Sequence, residues 1–381
     1  MNQHTIIKAF KYKLDPTKVQ ASQLGHTLYL CRQLYNAALQ ERIGAYKKCS
    51  KSLNYYSQAK YLPEIKQALP EYSIIHSQVS QDVLKRLDKA YQAFFRRVKA
   101  GAKPGFPRFQ GRNRFNSFCY PQYRTKPKDK HIYLPKIGNV RLRLSRPIDG
   151  KVKTATVKQQ ADGWYVVLVC EVEIQPLEPT GESVGLDAGL TSLLATSDNE
   201  IFKAPKYFSK AQKALAKAQR KLARRKRGSK RREKARVQVA KLHQRVARQR
   251  ADFNHKVSRK VVNRYDRIAF EDLNLKGLSS GMLAKSFQDA AIGQLFQFIT
   301  YKAEWAGRDV KVVNPAYSSQ TCPCCGCVQK KLLSERWHSC PCGMEGDRDV
   351  IAAIVLQGWA SPEWRNVSVV KLSVPLESHC L

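Results

Sequence analysis

Six of the eleven cysteines in this sequence fall between positions 322 and 342, and an aspartate pair, Asp347 and Asp349, follows at once. Cys322-Pro-Cys-Cys325-Gly has the form of a zinc knuckle, with Cys324 in the variable place and a glycine that lets backbone amides turn toward the sulfurs. Cys340-Pro-Cys342-Gly supplies a second pair fifteen residues on. Four thiolates at these spacings suit one tetrahedral Zn2+. The expected ligands are Cys322, Cys325, Cys340 and Cys342. Cys324 and Cys327 offer an alternative pair, and His338 is a further candidate donor. Without a metal, six exposed thiols would be an oxidation hazard.

Three acids form a second constellation. Asp187 ends the apolar stretch "VGLD", Glu271 ends "RIAFE" 84 residues later, and Asp349 opens "DVIAAIVLQGWA" after a further 78. Carboxylates on neighbouring central elements repel one another unless cations neutralise them. Two Mg2+ ions held by three carboxylates do so, and such a pair clamps both oxygens of an in-line phosphodiester displacement.

The charge balance agrees with a phosphodiester substrate. Lys and Arg number 68 against 30 Asp and Glu, a formal charge of +38. So large an excess makes a fold repel itself unless a polyanion neutralises it, and nucleic acid is the foremost candidate. The sequence has no lipidation motif and no apolar run long enough for a membrane span. "MNQHTIIKAF" lacks a signal-peptide core, so a reducing, cytoplasmic location is expected. The isolated Cys31, Cys49, Cys119, Cys170 and Cys380 read as ordinary small side chains of the core.

Two segments are expected to contact nucleic acid. In "KPGFPRFQGRNRFNSFCYPQYRTKPK" aromatics alternate with bases. Lys103, Arg108, Arg112 and Arg114 suit phosphates, and Tyr120 and Tyr123 suit stacking on bases. The competing reading is a twisted strand pair with one aromatic face in the core. Residues 211–250 hold seventeen Lys or Arg and a single acid, Glu233. Sparse helical periodicity broken at Gly228-Ser229 makes this a basic helical hairpin. Its candidate contacts are Arg224, Arg225, Lys226, Arg227, Lys230, Arg231 and Arg232.

The elements that must position these groups follow from periodicity. "TIIKAFKYKL" alternates as a strand. Asp15, with Pro16 behind it, is the expected cap of the first helix. Residues 15–100 read as a helical domain and 130–174 as β, with the first strand joining to make a barrel. After the linker "QPLEPTGES" comes a three-stranded meander turning at Ala188-Gly189 and Asp198-Asn199. The basic hairpin, a separate helix in "FNHKVSRKVVNRY", the strand ending at Glu271, a helix, the strand "VKVVNP", the cysteine segment and a last helix complete the chain.

At these residues the sequence resembles the TnpB (OrfB-type) proteins of bacterial insertion sequences, relatives of type V CRISPR effectors. The resemblance rests on "LCRQLYNAALQER", "GFPRFQGRNRFNSF", "GLDAGL", "FEDLNLKGL", "YSSQTCPCCG" and "CPCGMEGDRDVIAA", in order over roughly residues 5–358. It implies a multidomain α+β fold. A wedge-like β-barrel (1–14 and 101–178) carries a helical recognition insertion (15–100). A RuvC or RNase H-like α/β nuclease domain follows (179–317 and 346–360), with the basic hairpin at 205–250, an inserted zinc ribbon (318–345) and a variable tail (361–381). It further implies an RNA-guided, Mg2+-dependent DNA endonuclease with a single cutting site, two Mg2+ and one Zn2+. Its partners would be a guide RNA from the transposon end and duplex DNA bearing a short adjacent motif, with no small-molecule substrate. It would act in the bacterial cytoplasm, on the nucleoid when bound to DNA. Asp187, Glu271 and Asp349 fall on the catalytic positions. Asp349 rather than Asp347 matches the ligand of the motif D-x-N-A-A, although Ile351 stands where that motif has Asn. The rival readings are an RNA-guided repressor that does not cut and a protein-only DNA-binding factor of transposition.

Overall fold

The computed structural model describes residues 4–360 except 113, 175, 191, 279, 282, 283, 333 and 334; the tail 361–381, with Cys380, lies outside the described residues. The chain divides into two compact units, Met1–Glu173 and Ile174–Leu381.

The first unit opens with strand β1 (His4–Asp15), whose Phe10, Tyr12 and Leu14 are buried on one face at period two. Helix α1 (Lys18–Cys49) is capped by Thr17 rather than Asp15. The Thr17 hydroxyl accepts the Gln20 N–H, and the Gln20 side chain accepts the Thr17 N–H, a reciprocal capping box. Asp15 remains in β1 and pairs with Arg143. Short helices α2 (Tyr55–Ala59) and α3 (Leu62–Ala68) and a 3-10 turn lead to α4 (Ser77–Lys99). Val79, Val83, Leu84 and Leu87 bury one stripe of α4, and Gly101 leaves it with φ +63.

Strands β2 (Ser117–Tyr120), β3 (His131–Leu134), β4 (Gly138–Arg143), β5 (Lys151–Gln160) and β6 (Gly163–Ile174) join β1 in a sheet ordered β2-β5-β6-β1-β4-β3. The expected barrel is a half-barrel: among the described residues its hydrogen bonding stays open between the end strands β2 and β3. Side chains cross the seam instead. The Tyr120 hydroxyl donates to Pro135 O at 3.0 Å, and the Tyr123 hydroxyl to Tyr133 O at 2.6 Å. Both rings are buried, at 2% and 4% exposure. Burial pushes the Tyr123 phenol up to about 12 and that of Tyr120 higher still. This corrects the stacking role expected of Tyr120 and Tyr123: a ring locked in the core with its hydroxyl on a carbonyl offers no face to a base. Cys31 and Cys170 are buried and Cys119 half-buried, but Cys49 is exposed in the last turn of α1.

The second unit is built on a five-stranded sheet. Strands β7 (Ser183–Asp187), β8 (Ser192–Thr196) and β9 (Ile201–Lys203) form the meander, turning through Asn199 at φ +65. Helix α5 (Tyr207–Ala223) and the 35-residue α6 (Lys230–Arg264) follow. The sequence expectation of a separate helix in "FNHKVSRKVVNRY" is corrected, because α6 runs through it unbroken. Val257, Val261 and Val262 give its C-terminal half a closely spaced buried stripe, where the N-terminal half buries only Ala235 and Val246 among its apolar residues. Then come β10 (Arg267–Glu271), α7 (Leu275–Leu278), α8 (Ala284–Ala290), α9 (Ile292–Ala306) and β11 (Asp309–Val313). The sheet order is β11-β10-β7-β8-β9, with β10 parallel to both β7 and β11. A small hairpin, β12 (Trp337–Ser339) and β13 (Glu345–Asp347), delivers the chain into α10 (Arg348–Ala360).

Two features seat α10 on β7. Gln357 Nε2 donates to the Ser183 carbonyl and hydroxyl at 3.0 and 2.9 Å. Beside it, Gly185 lets the backbones touch: a Cβ there would stand 1.8 Å from Ala353 O.

Candidate active site and cysteine centre

Strand β7 is central, parallel to β10 on one side, so both its faces are covered and its sequence is apolar up to Asp187. The register sets Phe270 beside Leu186, which makes Glu271 and Asp187 neighbours at the same end of the sheet. Their carboxyls lie close enough to share a proton, and the nearby Ala188 N–H favours the charged form of Glu271. Asp349 lies in the first turn of α10. Its Oδ2 is 4.0 Å from where a Cβ on Gly189 would stand, in the turn just after Asp187. Three acids distant in sequence thus converge.

Their electrostatics are those of crowded carboxylates. Burial holds the Asp187 carboxyl well above the usual range, and the charges of Glu271 and Asp349 raise it further. Burial and Asp349 raise Glu271 too, against the opposing pull of the Ala188 N–H and Asp187. A proton shared between Asp187 and Glu271 relieves the repulsion, and a divalent cation with oxygen ligands would relieve it better. Oxygen donors suit a hard cation, although among the described residues it is the four cysteines, not these acids, whose donor atoms already lie within 4.8 Å of one another.

Asp347, the other aspartate of the pair, is occupied elsewhere: its Oδ1 accepts the Asp349 N–H at 2.9 Å, at the helix N-terminus. Sequence reasoning missed Arg336 and Arg348, whose guanidinium nitrogens stand 3.7 and 3.8 Å from Asp349 Oδ1. The only signal was "DRD", an arginine between two acids. Arg336 is supplied by the cysteine segment, and its backbone carbonyl accepts the Arg348 N–H.

The cysteine segment gathers the four sulfurs picked out by spacing. The Sγ atoms of Cys322, Cys325, Cys340 and Cys342 lie within 4.8 Å of one another. Cys322–Cys342 and Cys325–Cys340 are each 3.5 Å apart. A tetrahedron with Zn–S bonds of about 2.3 Å has sulfur–sulfur edges of roughly 3.8 Å, so the set fits zinc. Burial opposes ionisation of Cys342, but the Met344 N–H and the neighbouring thiols outweigh it and draw this thiol down to about 7. The backbone turns as the glycines suggested, with Gly326 and Gly343 at φ +73 and +88. Cys324 and Cys327 are exposed and outside the cluster. His338 is buried against Lys331 and is not among the clustered donors. Cys322, Cys340 and Met344 pack on Ile351 of α10, so the cysteine centre and the helix bearing Asp349 share a small core.

The expected nucleic-acid contacts divide. Lys103, Arg108, Arg112 and Arg114 are exposed, as are Arg224, Arg225, Lys226, Arg227, Lys230 and Arg231 around the α5–α6 turn. Arg232 is corrected: it is half-buried, and its Nη1 donates to Leu222 O and Arg225 O at 2.9 and 2.7 Å, closing the hairpin. Ser229 caps α6 by accepting the Arg232 N–H. Asp289 fixes the base of the hairpin. It accepts the Phe208 and Ser209 N–H groups at the start of α5 and pairs with Arg250 of α6. Among the described residues no helix is long and apolar enough to cross a membrane.

Comparison with known proteins bears on this arrangement. A family model described as "Probable transposase" matches residues 166–281, and one described as "Cas12f1-like, TNB domain" matches 293–356. A "Helix-turn-helix domain" model matches 1–51, where the structure has β1 and the single helix α1. A Streptomyces pristinaespiralis protein named "Putative RNA-guided DNA endonuclease" is 35% identical over 91% of this chain and 87% of its own length. "Putative RNA-guided DNA endonuclease InsQ" of Escherichia coli is 32% identical over 91% and 92%. "TnpB-like protein MJ0751" of Methanocaldococcus jannaschii is 34% identical over 30% of this chain and 45% of its own. A solved structure of a Cas12f1–sgRNA–target DNA complex shares the fold, with a TM-score of 0.58 at 13% identity over 94% of this chain and 99% of that one. With relatives of such identity along nine-tenths of its length, and family models matching both the sheet with Asp187 and Glu271 and the segment with the cysteines and Asp349, the chain belongs to the TnpB (OrfB-type) family.

Proposed function

We propose that this chain is an RNA-guided endonuclease that hydrolyses DNA phosphodiesters at Asp187, Glu271 and Asp349. The observation that carries the reading is the convergence of these acids at one end of the second unit's sheet, with two carboxyls raised by burial and mutual repulsion. The strand order, a meander extended by two parallel strands, is what an RNase H-like nuclease needs to bring acids from β7 and β10 together. Two divalent cations such as Mg2+ would supply charge neutralisation and an activated water.

The protein's own residues do the rest. Asp187 and Glu271, whose carboxyls are raised by burial and mutual repulsion, would hold a cation in their ionised forms. Asp349, held by the Asp347 cap and the seat of α10 on β7, closes the third side. Arg336 and Arg348 balance the charge of Asp349. Zinc at Cys322, Cys325, Cys340 and Cys342 is structural, fixing the loop that returns the chain to α10. Exposed bases at 103–114 and 224–231 hold sugar–phosphate backbone. The partners are a guide RNA, derived from the transposon end, and duplex DNA read next to a short motif, in the bacterial cytoplasm.

The test is programmed cleavage. With its RNA and Mg2+, the protein should cut a matched duplex. Glu271→Ala should bind the same duplex and leave it intact. RNA-directed binding without cutting by the unsubstituted protein would instead favour the repressor reading. Copurification without a defined RNA would favour the protein-only reading.

A further inference from the structure

Burial of Tyr120 and Tyr123 leaves the first unit without the stacking surface expected there, yet it has another. At the C-terminal end of α4, Phe94, Phe95 and Tyr91 meet Phe106 of the following segment. Phe94 lies 5.1 Å from Phe95 and 5.3 Å from Phe106, and Tyr91 lies 5.6 Å from Phe106, all edge to face. Phe95 and Phe106 are 57% and 48% exposed. Surface aromatics clustered in this way mark an interaction site.

The platform is held in place. The Asn36 side chain grips Gln110 at both backbone groups, accepting its N–H at 2.7 Å and donating to its carbonyl at 3.1 Å. At the other end, the Ala102 N–H donates to Arg97 O at 2.9 Å, and Pro107 between them is buried. Beneath, the buried Arg42 guanidinium lies 5.2 Å from the Tyr91 ring and is paired with Asp88. Rings fixed before binding lose little entropy when they dock.

Charge decides what covers them. Residues 89–128 contain eleven Lys or Arg and not one acid. Arg96, Arg97, Lys99, Lys103 and Arg108 around the rings are exposed. A second copy of this chain would bring like charges face to face, which disfavours a homodimer through this patch. A polyanion with accessible ring faces matches both features. Duplex DNA keeps its bases stacked inside, whereas an RNA can present unpaired ones.

We infer that the exposed face of Phe95 and Phe106 is a stacking platform for unpaired bases of the RNA partner. The inference rests on the RNA-guided reading. Phe95→Ala/Phe106→Ala, tested in the full chain by fluorescence anisotropy, should bind a single-stranded oligoribonucleotide roughly tenfold or more weakly. Its salt dependence, its affinity for duplex DNA and its sedimentation should match the unsubstituted protein. An abasic ribose-phosphate strand should bind both proteins alike. Phe106→Trp should restore the affinity, which a merely structural role would not predict. Equal losses on the base-bearing and abasic strands, or unchanged RNA affinity, would overturn the platform, and a change in sedimentation would reassign the face to self-association. If the unsubstituted protein cuts DNA under RNA direction while the variant binds RNA normally, only the platform fails. If it never cuts under RNA direction, the underlying reading fails.

Discussion

Gly185→Ala is the smallest change that should disable the proposed catalytic centre without touching an acid. The added Cβ would stand 1.8 Å from Ala353 O, 2.8 Å from Ala353 C and 2.9 Å from Gln357 N, all backbone. Carbon–oxygen contacts settle near 3.3–3.6 Å, so α10 must retreat from β7 by roughly 1.5 Å at this point. No side-chain rotation can absorb the clash. Overpacking of this kind costs about 1–3 kcal/mol of stability. The retreat also strains the Gln357–Ser183 bonds and carries Asp349, one turn before Ala353, away from Asp187. A misplacement of about 1 Å in a reacting constellation costs on the order of a hundredfold in rate. Single-turnover cleavage at saturating Mg2+ should therefore fall by about two orders of magnitude while target affinity holds. Gly44→Ala in α1, whose Cβ meets nothing within 4 Å, is the control and should be neutral or slightly stabilising. Wild-type cleavage and melting by Gly185→Ala would refute the claim that this contact sets the position of Asp349.

The acids carry a second prediction. The Asp187 carboxyl titrates higher folded than unfolded, so its contribution to stability is present at low pH and lost as pH rises through the raised value. Asp187→Asn should thus melt a few degrees higher than the metal-free wild type at neutral pH, yet not cut. A lower melting temperature would contradict the electrostatic account. For the cysteine centre, Cys322→Ser or Cys342→Ser should lose the zinc measured by elemental analysis, and Cys324→Ser and Cys327→Ser should keep it; metal loss in the latter pair would reassign the ligands. Replacing Arg224, Arg225, Lys226 and Arg227 with Ala should flatten the slope of log K against log salt by about 0.7–0.9 for each phosphate no longer neutralised, and an unchanged slope would make this turn a solvated face. Tyr120→Ala should cost about 3–5 kcal/mol of stability by emptying a core site, with affinity preserved in the folded fraction; a drop in affinity at unchanged melting would restore its stacking role.

Much of this architecture was legible because local chemistry and tertiary role coincide. The turn at Asp198-Asn199 needs a residue tolerant of positive φ, and Asn199 supplies it. The acids stood out because each borders an apolar stretch, Asp187 and Glu271 at its end and Asp349 at its start. The cysteines that assemble are those at knuckle spacing, since ligand geometry tolerates few alternatives. What was misread depends on direction and competition. Alternation in "SFCYPQY" shows that residues share a face but not that this face turns inward, so Tyr120 and Tyr123 looked available. Asp15 and Thr17 both resemble caps, and only the reciprocal bond with Gln20 decides between them. Arg232 belongs to a run of Lys and Arg, and nothing in the run says which one folds back onto the carbonyls of the hairpin. Arg336 reaches Asp349 only through the path of the ribbon.

The seat of α10 on β7 also bears on how the protein is made. Ribosomal synthesis releases β7, the basic hairpin and β10 well before the cysteine segment and α10. On the proposed reading, a nascent chain at that stage would carry the basic hairpin together with Asp187 and Glu271, but not Asp349. The groove over Gly185 is still vacant, and the third carboxylate has not left the exit tunnel. The residues proposed to bind nucleic acid therefore precede the last proposed catalytic acid in the order of synthesis. A truncated product of stalled translation would be a binder without a blade, able to occupy nucleic acid but not to damage it.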